Sequence, residues 1–136
     1  MAARPFSPGF RLSATDAAVL AAGCAGSALA SQAQWWMGAV IAFAVGHFFL
    51  FCNVFRMARP FELAWTAIFV TLAAVTIATG EPGWPAAFGI SLFATLALVV
   101  AQMRRPSYHG VLWQRINPGL PQWWETHGGR PRTRGK

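Results

Sequence analysis

Charge is scarce in this chain, and negative charge is almost missing. Charged residues make up 11% of it, against about 25% in an ordinary soluble domain. Only four of its 136 residues are carboxylates: Asp16, Glu62, Glu81 and Glu125. So thin a polar surface cannot solvate a globule whose composition is 55% hydrophobic, and a lipid bilayer is the expected solvent. Catalytic equipment is lacking as well. There is no nucleophile–His–acid set, no His-rich metal cluster and no glycine-rich phosphate loop, so the chain is read as a non-enzyme. The two cysteines, Cys24 and Cys52, lack a second Cys or His at ligand spacing. They read as apolar thiols at different depths, unpaired.

What is present is a set of four apolar stretches. A hydrocarbon core about 30 Å thick needs roughly 20 residues of helix. The segments 15–30, 35–57, 61–79 and 84–103 approach that length, giving an all-α integral membrane protein with four transmembrane helices. Residues 1–14 form an N-terminal segment and 104–136 a C-terminal tail. Ser13 and Asp16 have capping-box spacing before the first span. Pro60 and Pro85 stand where proline favours a helix start, with Glu62 in the first turn of its helix. Trp35, Trp36 and Trp84 mark an interface, and Gly80-Glu81-Pro82-Gly83 supplies a turn. The first span also resembles a signal peptide, with Ala28-Leu29-Ala30 as its cleavage site. Retention is the expected outcome.

Small residues recur every four positions: Ala18, Ala22, Gly26 and Ala30, then Gly38, Ala42 and Gly46, then Ala67, Thr71, Ala74 and Ala78. This is the spacing that lets membrane helices approach closely. The first helix is accordingly expected inside a bundle, with Ala22, Gly26, Gly38, Ala42 and Gly46 as helix-packing positions.

All basic residues are Arg except Lys136, and the net charge is +7. Arg4, Arg11, Arg56, Arg59, Arg104, Arg105, Arg115, Arg130, Arg132, Arg134 and Lys136 all fall on one side of a four-span topology. Cytoplasmic flanks carry the Lys/Arg excess, so both termini are expected in the cytoplasm and the chain in a bacterial inner membrane. The basic residues flank apolar segments and form no concentrated patch. Anionic lipid, and not nucleic acid, is their expected partner.

Polar groups at membrane depth are candidates for function. His47 lies mid-span beside Gly46 and could ligate a haem or chlorophyll-type pigment. The alternative is a hydrogen bond to another helix. Asn53, Arg56, Arg59 and Glu62 cluster around the second turn, within the distinctive run Phe51-Cys52-Asn53-Val54-Phe55-Arg56 and just beyond it. They are expected to lock the hairpin, Glu62 pairing with Arg56 or Arg59 and Asn53 satisfying loop carbonyls. A substrate or proton site is the competing use. The tail is aromatic and basic, and its prolines exclude one long helix, leaving room for a short turn around Val111–Ile116. Tyr108, Trp113, Trp123 and Trp124 either lie on the headgroup layer or dock a partner.

Three functions follow, in order of expectation. The first is a small non-catalytic accessory subunit bracing a larger membrane complex, bioenergetic in setting (photosynthetic or respiratory), with other membrane subunits as partners. The second is a pigment- or haem-binding protein using His47. The third is a small dimeric transporter working through Asn53, Arg56 and Glu62.

Overall fold

The computed structural model describes residues 6–127, and every regular element among them is helical. Arg4, Arg130, Arg132, Arg134 and Lys136 lie outside the described residues. The elements are α1 (Ala14–Ala33), α2 (Trp35–Phe49) continued by a π-helical turn (Leu50–Val54), α3 (Arg59–Thr79), α4 (Trp84–Met103), α5 (Trp113–Ile116) and α6 (Leu120–His127). Four helices are long and apolar enough to cross a membrane: α1, α2 with its π turn, α3 and α4.

Ser13 caps α1 through the box its spacing implies. The Asp16 amide donates to Ser13 Oγ at 3.2 Å, and the Ser13 amide donates back to Asp16 Oδ2 at 2.8 Å. The helix runs three residues beyond Ala30. Gln34 alone, extended at φ −149° and ψ 127°, serves as the C-cap of α1 and the N-cap of α2. A one-residue link forces the two helices into a tight antiparallel hairpin. The contact is close at two places. A Cβ on Gly38 would lie 2.5 Å from Ser27 O, and one on Gly23 would lie 2.7 Å from Val45 Cγ1. Ser27 Oγ donates across the interface to Gly38 O at 2.7 Å, a bond of a kind worth about 0.6–2 kcal/mol between membrane helices.

Within the chain itself the expected packing positions are used unequally. Gly38 is buried, but Ala22, Ala42 and Gly46 are exposed. Gly26 is half-buried, and an added Cβ at Gly26 or Gly46 would meet nothing within 4 Å. The half-buried face of α1 follows Leu20, Gly23, Gly26, Ser27 and Ala30, so Gly26 and Ala30 of the expected series share it and Ala18 and Ala22 do not. Nor is α1 interior to the bundle, since it contributes no buried residue. On α3 the small residues Ala67, Thr71, Ala74 and Ala78 also face outward, while Trp65, Phe69 and Thr76 are buried.

The core is aromatic and sits between α2, α3 and α4. Phe51, Met57, Trp65, Phe69 and Val99 form its buried cluster, with Phe43 and Phe88 packed against it. The buried stripe of α4 is small and polar: Ala87, Ser91, Thr95, Val99 and Gln102. Small residues there admit the large indole of Trp65, whose Nε1 donates to Thr95 Oγ1 at 2.9 Å and to Ser91 O at 3.2 Å. At the end holding the Gln34 link and the Gly80–Gly83 turn, Trp36 stacks on Trp84, 4.9 Å between centroids and 13° from parallel.

The second span ends at Val54, not Met57. Phe55 N donates to Leu50 O at 2.9 Å, closing the wide turn, and Met57 N donates to Phe51 O at 2.8 Å. Arg56 takes a left-handed conformation, φ 48°, and stops the helix as glycine ordinarily would. Met57 and Ala58 then carry the chain to α3, with Pro60 inside its first turn.

Candidate functional site at the basic end of the bundle

A helix C-terminus leaves its last carbonyls without intrahelical donors. Here the chain's two ends supply them. Arg11 N donates to Asn53 O at 3.1 Å, and Val111 N donates to Val54 O at 2.8 Å. The two segments also join each other, Gly9 N donating to His109 O at 2.7 Å. The N-terminal segment, the π turn and the tail thus form one hydrogen-bonded cap, and both terminal segments lie at the same end of the bundle.

Side chains consolidate the cap. With its amide nitrogen facing the acceptors, buried Asn53 donates to Asp16 Oδ2 at 3.1 Å and to Arg11 O at 2.9 Å. It therefore ties α2 to the N-terminal segment and to the first turn of α1. Its partners are not the residues of its own hairpin. The Arg56 guanidinium donates to Ser7 O. Burial, and then the like charge of Arg11, lower its pKa from the ordinary value. No ion pair among the described residues joins Glu62 to Arg56 or Arg59. Instead, Glu62 Oε1 accepts from Cys52 Sγ at 3.5 Å. The expected hairpin lock is thus replaced by a lock onto the termini.

The tail folds back on itself. Tyr108 is fully buried, its hydroxyl donating to Val111 O at 2.7 Å, so it anchors the cap from inside and offers no surface to a partner. Burial raises its pKa. Asn117 Nδ2 donates to Pro106 O at 2.7 Å and to Tyr108 O at 3.1 Å, closing the loop between α4 and α5. Leu120 is fully buried. Trp113 and Trp124 are half-buried and hold Phe6 edge-on at centroid distances of 5.9 and 5.6 Å. Trp123 stacks on His127 at 4.6 Å. Asn117, Leu120, Gly110 and Phe6 carry no motif that would single them out in the sequence. Phe6 and Gly110 are set by distant parts of the chain, Phe6 against Trp113 and Trp124 and Gly110 against the Phe55 carbonyl.

His47 lies away from this cap, inside the aromatic core. Trp65 stacks on its ring at 4.5 Å, Phe43 approaches to 4.2 Å, and Phe51 presents an edge at 5.7 Å. A carbonyl only accepts, so the 2.8 Å contact to Phe43 O places the imidazole proton on Nδ1. The residue is 8% exposed. A haem or pigment macrocycle would have to displace those rings to reach it, and the Gly46 surface beside it points outward. Among the described residues no three His, Cys, Asp or Glu side chains gather as metal ligands would.

Between the cap and the ends of α3 and α4 lies a cleft of about 430 Å³. Arg56, Arg59, Glu62, Gln102 and His109 contribute its polar wall, and Phe48 and Met57 its apolar one. No family model matches the chain, and no curated protein or solved structure matches it either.

Proposed function

We propose that this chain is a small, non-catalytic accessory subunit of a larger bacterial inner-membrane complex, bioenergetic in the setting its sequence suggests, with its basic capped end in the cytoplasm. The observation that carries the reading is α1. A transmembrane helix with no buried residue packs along one side against α2 and leaves the rest of its surface free of its own chain. Its remaining surface, with Ala18 and Ala22 exposed, is smooth and small-residue-rich, as helix–helix interfaces in membranes are. The outward small-residue face of α3, Ala67, Thr71, Ala74 and Ala78, supports the same reading. The polar groups support it too. Asn53 and Asp16 are bonded to each other and to the N-terminal segment, which leaves them no free acid–base role in a transport path.

The test is purification of the native chain in a mild detergent. Defined additional subunits at fixed stoichiometry are the expected result. Recovery of nothing but the free 14.7 kDa species would overturn the reading.

A further inference from the structure

We infer that the cleft between α3, α4 and the tail binds the phosphate of an anionic phospholipid, held by Arg59, Arg56 and the Gln102 amide. Three observations converge on it. First, its donors are unspent. The Arg59 guanidinium makes no hydrogen bond or ion pair among the described residues, and Arg56 uses its guanidinium on Ser7 O alone. Second, Gln102 is 2% exposed, yet its amide nitrogen donates to nothing. Its oxygen accepts from Ala58 N at 3.5 Å, which leaves the NH₂ group as an unpaired donor where the residue reaches the cleft. A phosphate oxygen would give that NH₂ a charged acceptor, and hydrogen bonds to charged groups are the stronger kind. Third, the cleft opens at the start of α3. Ala58 gives that helix no side-chain cap, so the positive end of its dipole favours an anion there.

The lipid source follows from the apolar wall. Phe48 lines the cleft and is 54% exposed on the membrane-spanning α2, so the cleft is continuous with the lipid-facing surface. A phospholipid can lay a chain along Phe48 while its headgroup enters among the arginines. Glu62 opposes this with one negative charge, leaving the two arginines in excess over it. The charge balance therefore admits a phosphodiester monoanion.

The full chain is reconstituted in nanodiscs of equal parts phosphatidylcholine and phosphatidylglycerol, and lipid retention is read by native mass spectrometry. Arg59→Ala and Gln102→Leu are each expected to lower phosphatidylglycerol retention about tenfold. Arg59→Lys restores part of it, keeping the charge without the planar fork. Glu62→Gln raises retention. Arg115→Ala, which removes an exposed cation outside the cleft, changes retention by no more than about twofold. Equal losses in Arg115→Ala and Arg59→Ala would reduce the effect to diffuse surface charge and overturn the site. Unchanged retention in both Arg59→Ala and Gln102→Leu would do the same. In nanodiscs of phosphatidylcholine alone, inorganic phosphate is expected not to be retained. Retention there, lost in Arg59→Ala, would assign the cleft to a free anion and overturn the lipid.

Discussion

An added Cβ at Gly110 would lie 2.5 Å from the Phe55 carbonyl oxygen and 2.7 Å from the Tyr108 hydroxyl. The first is backbone and the second is fixed by its bond to Val111 O, so neither can yield cheaply. Gly110→Ala is expected to weaken tail docking by about 1–3 kcal/mol, the usual cost of overpacking. Faster amide exchange at Val111, whose N–H bonds Val54 O, would report it. Next to it, His109 makes docking sensitive to pH. Burial, and then the positive charge of Arg56, hold its pKa below the ordinary 6.5, while the bond to Ser107 O pulls the other way. The docked tail thus binds fewer protons than the free tail. Docking is at full strength above about pH 6.5 and weakens as pH falls from there through the lowered docked value. Val111 exchange measured from about pH 8 to about pH 5 checks the sign. Protection should fall toward the acid side in the native chain, and His109→Gln should flatten that slope. A flat native profile would mean that His109 does not titrate against docking.

Among the helices, the two glycines of α2 separate a real contact from an apparent one. Both belong to the same four-residue series, yet Gly38 abuts Ser27 O while Gly46 faces open space. Gly38→Leu is expected to cost more than about 2 kcal/mol and to open the α1–α2 hairpin. Gly46→Leu should stay within about 0.5 kcal/mol, as outward substitutions do. Unfolding of the two variants in mixed micelles compares them directly, and equal effects would refute the assigned helix phase. The sequence could not have told them apart. In an Ala-rich helix several phases satisfy small-residue spacing, so periodicity names an interval and leaves the face open. Span limits were far more legible, because they rest on local chemistry: the Ser13–Asp16 box, Pro60, Gly80 and Pro85 act within one turn of the boundaries they set. The end of α2 was illegible for the opposite reason. Its π turn contains neither Gly nor Pro, Arg56 takes the left-handed position, and the donors for its carbonyls come from Arg11 and Val111, far along the chain. Asn53, Arg56 and Glu62 were visible as a polar cluster, but the partners of Asn53 and Arg56 were not, because Ser7, Arg11 and Asp16 approach only through the fold.

For the whole molecule, the question is what holds α1 in place. In a bilayer each helix satisfies its own backbone, so α1 does not need a buried face in order to form. Its seam with α2 uses Gly23 and Ser27 against Val45 and Gly38, which leaves Ala18 and Ala22 directed away from the rest of the chain. The consequences of enlarging those positions depend on what lies against them. In the isolated chain, Ala18→Leu with Ala22→Leu should shift stability by no more than about 0.5 kcal/mol, since lipid accepts leucine as readily as alanine. In an assembly, the same side chains would enter a closely packed helix interface and force it apart, at about 1–3 kcal/mol for each overpacked site. The double variant is therefore expected to fold, insert and retain the capped basic end, shown by native-like Val111 protection, while losing the subunits that co-purify with the unaltered chain. Gly38→Leu should behave differently, damaging the chain itself before any partner is involved. Retention of the same subunits at unchanged stoichiometry by the Ala18→Leu, Ala22→Leu variant would show that the outer face of α1 meets lipid and no neighbour, and the accessory-subunit reading would lose the observation that carries it.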